Sequence, residues 1–219
     1  MAMREAVKGA VTSKIDETIE IIKCLISAGA NINSEAADQG KTALMLACEK
    51  GYIDLVRCIL DLNSLVDHRD QKKRTALFYA IGSPAQNIDV VQELIKNQTD
   101  VNIQTVTGIS PLLLAAEKGH DLIIKELLAC GADYSFQGGD NSNSALHLCC
   151  IRGDPKSTQV LLEFCKKKLD DSSTQEFIFL KNKKNQIALD IAEDQKNSKK
   201  QDENRQKVFK LLNDLHLAQ

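Results

Sequence analysis

The sequence predicts an all-α protein of the solenoid class, built from stacked helix–turn–helix units. Three observations carry that prediction. A short motif recurs: Thr42-Ala43-Leu44-Met45, Thr75-Ala76-Leu77-Phe78, Ser110-Pro111-Leu112-Leu113 and Ser144-Ala145-Leu146-His147 begin 33, 35 and 34 residues apart. Apolar residues at steps of three and four follow these copies, the mark of one buried helix face. The composition suits an aliphatic helical core, with 43% hydrophobic residues, only 4% aromatic, no Trp and three Pro. A unit of this length cannot bury its apolar face alone, so stacking supplies the core.

Six units follow in order, about 4–36, 37–69, 70–104, 105–138, 139–181 and 182–219, read as one domain over 1–219. The first departs from the motif in its first helix. Its second helix spans Ile15 to Ile26, and Lys14, Glu17 and Glu20 suit an N-terminal cap of the stack. The second unit pairs the Thr42 motif with Leu55, Val56, Ile59 and Leu60. The third pairs the Thr75 motif with Val90, Val91, Leu94 and Ile95, and carries two extra residues near Gly82-Ser83-Pro84-Ala85. The fourth joins the Ser110 motif to Ile123, Ile124, Leu127 and Leu128. In the fifth, Lys166-Lys167-Lys168 leads into a polar insertion, Asp170 to Gln175, expected as a solvated loop. A weaker motif copy, Ile187-Ala188-Leu189-Asp190, opens the sixth after a step of 43 residues. A second polar insertion, about Asp194 to Asn204, is expected as a loop separating its two helices. The last helix places Val208, Leu211, Leu212 and Leu215 on one face and reads as a C-terminal cap.

Local chemistry supports these elements. Thr or Ser before each first helix offers an oxygen to an orphan amide of the first turn, contributing about 1 kcal/mol as an N-cap. Pro111 sits where Pro is tolerated, at the first helical position. Ala47-Cys48 and Ala115-Ala116 are small enough for close helix approach. Gly51, Gly119 and Gly153 suit the turn between helices, and Gly29 and Gly131 a helix C-terminus.

The offsets agree as well as the motifs: Ala47-Cys48-Glu49-Lys50-Gly51, Ala115-Ala116-Glu117-Lys118-Gly119 and Cys149-Cys150-Ile151-Arg152-Gly153 occupy the same place. Units close on turns such as Gly29-Ala30-Asn31-Ile32-Asn33, Gln98-Thr99-Asp100-Val101-Asn102 and Gly131-Ala132-Asp133-Tyr134-Ser135. These residues resemble the ankyrin-repeat family over nearly the whole chain. The resemblance implies an ankyrin-repeat α-solenoid that binds other proteins through loop tips and the exposed face of the first helices. It also implies that Asn33 and Asn102 stand where family members can be hydroxylated. Met45, Phe78 and Leu113 replace the family's structural His, and we expect them to pack rather than to form an apolar spot on a binding face.

Charge and composition exclude several classes. The chain carries 28 Lys and Arg against 30 Asp and Glu, a net charge of −2, without the basic excess of a nucleic-acid-binding domain. No run approaches the ~20 apolar residues of a membrane span. Met1 to Glu5 lack an apolar signal core, so secretion is not expected. Seven cysteines, an odd number without C-x-x-C, argue against a disulfide framework or a zinc site.

No catalytic constellation stands out. His120 and His147 occupy structural places in the motif, and His68 and His216 read as isolated. Gly138-Gly139-Asp140 lacks the Gly-Lys-Ser/Thr of a phosphate loop. Cys48, Cys149 and Cys150 read as core. Cys24 and Cys58 fall at equivalent positions, where Glu93 and Glu126 stand in later units, so partial exposure is expected and a redox role is open there.

Carrying the family's variable positions over, the expected partner-binding residues are Lys41, Glu49, Lys50, Lys72, Arg74, Val106, Ile109, Glu117, Lys118, Asn141, Asn143, Ile151 and Arg152. Further positions are Asp38, Gln39, Gln71, Thr107, Asp140, Lys183, Lys184 and Gln186. The bases there, Lys41, Lys50, Lys72, Arg74, Lys118, Arg152, Lys183 and Lys184, outnumber the acids Asp38, Glu49, Glu117 and Asp140. A groove biased positive, with Val106, Ile109 and Ile151 as apolar anchors, would favour an acidic protein or peptide. The expectation is therefore a cytoplasmic or nuclear, monomeric, non-catalytic adaptor without cofactor or metal, binding protein and neither nucleic acid nor membrane. The alternatives are an interaction segment of a larger scaffold or enzyme, and a pathogen effector that engages host proteins.

Overall fold

The structure, a computed structural model, describes residues 2–10, 14–35, 39–83, 87–198 and 202–217, the side chains of 198, 216 and 217 excepted. Among them are thirteen helices and no strand, only an isolated antiparallel bridge between Gly138 and Asn143. The fold is all-α, of the α-solenoid class, and the chain forms two compact units, residues 1–106 and 107–219.

In the first unit, helices α1 (Ala2–Gly9), α3 (Ala43–Lys50) and α5 (Ala76–Gly82) alternate with α2 (Ile15–Ser27), α4 (Ile53–Asp61) and α6 (Ile88–Lys96). The first helices lie side by side, α1 on α3 and α3 on α5, while α2, α4 and α6 form a second row behind them. Residue chemistry follows this position. Flanked by α1 and α5, α3 buries Ala43 through Cys48, and α5, packed on α3 and α6, buries Ala76 through Ile81. The outer α4 buries one stripe only, Leu55, Val56, Ile59 and Leu60. Met45 and Phe78 are core residues, as their packing role requires.

The second unit repeats the scheme with α7 (Pro111–Lys118), α9 (Ala145–Arg152) and α12 (Ala188–Ser198) in one row. The other row holds α8 (Asp121–Ala129), α10 (Pro155–Lys168) and α13 (Glu203–Leu217). Leu113 is buried in the first row.

Three of the four expected N-caps form. Thr42, Ser110 and Ser144 accept from the backbone N–H three residues on, at 3.4, 3.3 and 3.5 Å. Thr75 makes no such bond, and its hydroxyl is buried without a partner among the described residues. The cause is local: the Phe78 N–H that should meet the hydroxyl donates instead to the Thr75 carbonyl, at 3.1 Å.

Both insertions differ from the loops the sequence suggests. Asp170 caps a helix, α11 (Asp171–Ile178), by accepting from Ser173 N–H at 2.7 Å. Phe177 and Ile178 give that helix a buried end, with Phe177 edge-on to Tyr134 at 5.5 Å between ring centroids. The run Lys166-Lys167-Lys168 closes α10, where cations complement the helix dipole. In the last repeat Asp194 to Ser198 continue α12, and Glu203 and Asn204 begin α13. Lys196 lies 3.9 Å from the Phe209 ring centroid, which holds the end of α12 against α13. Pro84 and Ala85, where the extra residues of the third repeat were expected, lie outside the described residues.

The turns between helices carry a repeated device. Gly119 and Gly153 adopt φ of 73° and 74°, a left-handed conformation that caps α7 and α9. A Cβ at Gly119 would stand 2.3 Å from Arg152 Nε, and one at Gly153 2.8 Å from Arg205 Cγ, so the following repeat's arginine lies against each bare turn. Arg152 Nη1 then donates to the Glu117 carbonyl at 3.2 Å, and Arg205 Nη1 to the Ile151 carbonyl at 3.4 Å. Asn87 lies against Gly51 in the same way.

Candidate partner-binding surface

Six of the expected partner-binding residues fall in the first unit, and the structure brings five of them into one locality. The turn from Asp70 to Arg74 is built around the Asp70 carboxylate, whose side chain is fully buried. Its Oδ1 accepts from the N–H groups of Lys72 and Arg74, both at 2.8 Å. Its Oδ2 accepts from Arg74 Nε at 2.8 Å and from the Tyr79 hydroxyl at 2.7 Å. Burial works to raise the Asp70 pKa, but these donors outweigh it and hold the carboxyl below its usual range. Tyr79 accepts in turn from Arg74 Nη2 at 2.7 Å. Burial, then the bond to Asp70, pushes the Tyr79 pKa well up.

Lys41 and Arg74 both stand over the Tyr79 ring, at 4.5 and 4.8 Å from its centroid. Lys41 also forms a forked ion pair with Glu49, at 2.9 and 3.1 Å. Two of the expected groove cations are thus already matched by internal carboxylates. Lys72 is exposed, and its carbonyl accepts from Val106 N–H at 3.0 Å. Val106 is 58% exposed. Lys50 stands apart, its Nζ 5.8 Å from the Tyr52 ring centroid. Asp38 lies outside the described residues.

The other seven lie in the second unit. Glu117 and Lys118 are exposed at the end of α7, and Ile109 is half-buried. Asn143 is buried and accepts from Asn182 Nδ2 at 3.1 Å; the Asn141 carbonyl accepts from Lys183 N–H at 2.9 Å. Asn141, Asn143 and Ile151 line a cleft of about 310 Å³ with Asn182, Lys184 and Ile191. Ile151 is 42% exposed, and Arg152 is exposed beside it. Lys183 Nζ donates to the Asp140 carbonyl at 2.9 Å.

Asp70, Tyr79 and Asn182 are the organising residues that the sequence reading passed over. Asp70 and Asn182 play one role in two repeats, since Asn182 Oδ1 accepts from Lys184 and Gln186 N–H groups at 2.9 and 3.1 Å. A lone acid among Arg69, Lys72, Lys73 and Arg74 was the available signal for Asp70.

The titratable groups serve the framework. His147 Nδ1 accepts from Ser144 N–H at 3.3 Å, which leaves Nε2 to donate to the Gln186 carbonyl at 2.9 Å. Burial lowers its pKa. His120 is also lowered, by burial first and then by Arg152 and Lys118. His68 is not isolated, since its Nε2 lies 3.1 Å from Glu35 Oε1; the side chain of His216 lies outside the described residues. All seven thiols are free. Burial raises those of Cys48, Cys149 and Cys150, and pushes Cys165 up to about 11. Cys24 is exposed; Cys58 is half-buried, and burial raises its thiol too. Asn33 Oδ1 accepts from Leu65 N–H at 2.8 Å, and Asn102 is exposed. Among the described residues no group of three or more His, Cys, Asp or Glu is placed to hold a metal ion, and no helix is long and apolar enough to cross a membrane.

Comparison with known proteins gives a consistent answer. The pattern that defines ankyrin repeats matches residues 10–105 and 84–173, in three copies. The chain is 31% identical over 149 residues, 68% of its length, to the human neurogenic locus notch homolog protein 2. It is 27% identical over 154 residues, 69% of its length, to the human SH3 and multiple ankyrin repeat domains protein 2. It is 33% identical over 111 residues, half its length, to the ankyrin repeat and KH domain-containing protein mask-1 of Caenorhabditis elegans. These matches span only 6%, 8% and 4% of the relatives' own lengths.

Proposed function

The chain belongs to the ankyrin-repeat family, and from that premise we propose that it is a non-catalytic module that binds a partner protein or peptide. The binding residues are those of the loop tips and the outward sides of the first helices. The observation that carries this reading is the setting of Val106 and Ile151. Each is an aliphatic side chain left exposed within its own unit, Val106 beside Lys72 and Ile151 beside Asn141, Asn143 and Lys184. An apolar contact with a polar rim suits recognition of a protein. The six helix pairs support a single domain of six repeats, the first and last being caps. Seven free thiols favour a reducing compartment, cytoplasm or nucleus, and we take the chain to act as a monomer.

Affinity capture from native lysate, read by mass spectrometry, tests this. Lys50→Glu with Val106→Asp alters the first unit, and Lys118→Glu with Ile151→Asp the second. Loss of captured proteins with either pair supports the reading; identical capture by both variants overturns the assigned surface. A second reading is an interaction segment within a larger scaffold or enzyme. It is favoured by the small share of each relative that the matches span.

A further inference from the structure

We propose that the turn of the third repeat, with Arg69, Lys72 and Lys73 at its tip and Val106 beside it, is the docking point for an acidic protein segment that carries an apolar residue next to its carboxylates. This rests on the protein-binding reading above and narrows it to one kind of partner. The cations divide into two groups. Lys41 is held by Glu49 and Arg74 by Asp70, so neither charge is free for an incoming carboxylate. Arg69, Lys72 and Lys73 are exposed, and among the described residues none of the three pairs with an acid. The nearby acids are engaged. Asp70 is saturated by four donors, Asp67 accepts from Thr99 Oγ1 and Asp100 N–H at 2.6 and 3.0 Å, and Glu35 lies against His68.

The tip is also rigid before it binds. Besides the bonds to its carboxylate, Asp70 N–H donates to the Arg74 carbonyl at 3.0 Å, and Lys73 N–H to the Asp70 carbonyl at 2.8 Å. Lys73 is thereby held at φ 58°, a conformation uncommon for a residue with a side chain. Cations on a fixed backbone lose less freedom on binding than cations on a loose loop. Val106 N–H bonds to the Lys72 carbonyl, which sets an exposed aliphatic side chain against the charged turn. An apolar contact adjoining positive charge fits a mixed acidic and apolar segment better than a bare polyanion.

Two observations favour protein over nucleic acid. The large exposed hydrophobics described in this unit are Ile21, Leu65 and Val106, and none of them is an aromatic of the kind on which bases stack. The chain as a whole carries a net charge of −2, which repels a long polyanion. A short acidic segment feels mainly the charges within a Debye length of about 8 Å.

The test is fluorescence anisotropy of the full chain with a short labelled peptide of Glu and Leu. Its Gln-for-Glu counterpart and a single-stranded oligonucleotide serve as comparison probes. Arg69→Gln, Lys72→Gln and Lys73→Gln together should weaken binding of the Glu–Leu peptide about tenfold and flatten its salt dependence. Lys166→Gln, Lys167→Gln and Lys168→Gln remove equal charge at the end of α10 and should change it less than about twofold. Val106→Ser should weaken it about threefold. All the substituted side chains are exposed, and thermal melting verifies the fold of each variant. Equal losses from both triple variants, absence of peptide binding, or tighter and equally tip-dependent oligonucleotide binding would each overturn the proposal. Lysate capture that survives the tip substitutions but fails with Lys118→Glu and Ile151→Asp removes the tip and leaves the broader reading standing.

Discussion

The Tyr79 hydroxyl donates to Asp70 Oδ2 at 2.7 Å, and through that bond a core tyrosine on α5 fixes the backbone of a solvent-facing turn. Removing either partner should show which of the two governs. Asp70→Ala leaves two backbone N–H groups and Arg74 without their acceptor and should destabilise the fold by about 3 kcal/mol. Tyr79→Phe removes the bond to Asp70 and the one accepted from Arg74 Nη2, and should cost about 1 to 2 kcal/mol. Because the folded Asp70 pKa is depressed, its contribution is complete above the unfolded value of 3.8 and is lost as pH falls toward the folded one. Urea denaturation from neutral to acid pH should show Asp70→Asn converging on the parent at the acid end.

His147 should give a signature of the same sign at higher pH. Its folded pKa lies below the ordinary 6.5, so the folded state resists a proton that the unfolded chain accepts. Stability should be flat above that value and fall as pH drops below it, until the folded imidazole is also charged. His147→Asn, which loses the Ser144 and Gln186 bonds, should cost about 1 to 2 kcal/mol at neutral pH and show a shallower acid decline. His120 keeps part of the slope. Denaturant midpoints at several pH values check both statements.

The Thr75 hydroxyl is buried without a partner among the described residues and makes no cap bond to its helix. Thr75→Val should be neutral or stabilising, since it replaces an unsatisfied polar group by an apolar one of the same shape. Thr42→Ala and Ser110→Ala, by contrast, should each cost about 1 kcal/mol as lost N-caps. Parallel melts of the three variants distinguish three equivalent sequence positions by their bonding.

Phe177 anchors α11 together with Ile178, through burial and its edge contact with Tyr134. Phe177→Ala should cost about 3 kcal/mol and release the insertion. Limited proteolysis should then cut near Leu169 faster than in the parent.

Much of this was legible in the sequence, and the part that was not has a physical cause. Repeats reveal themselves because stacking forces the same small, apolar and Gly residues to recur at fixed offsets. Ala47, Ala115 and Gly153 are such residues. The insertions broke that register, and their polar composition masked α11 and the end of α12. Asp170 was an N-cap signal, but the buried end of α11 lies in Phe177 and Ile178, beyond the polar run. The partner surface was legible as positions but not as chemistry. Lys41 and Lys72 look alike in sequence, yet one is held by Glu49, eight residues on, and the other is not. Pairings of that kind depend on where rotamers and neighbouring repeats bring two charges, which periodicity alone does not encode.

The bare turns at Gly51, Gly119 and Gly153 give the architecture a grammar of succession. Each is a socket cut for one particular plug, Asn87, Arg152 or Arg205, brought by the module that comes next. Transplanting or reordering modules would therefore present a socket with a foreign plug, and a shuffled chain would need the matching side chain to travel with its turn.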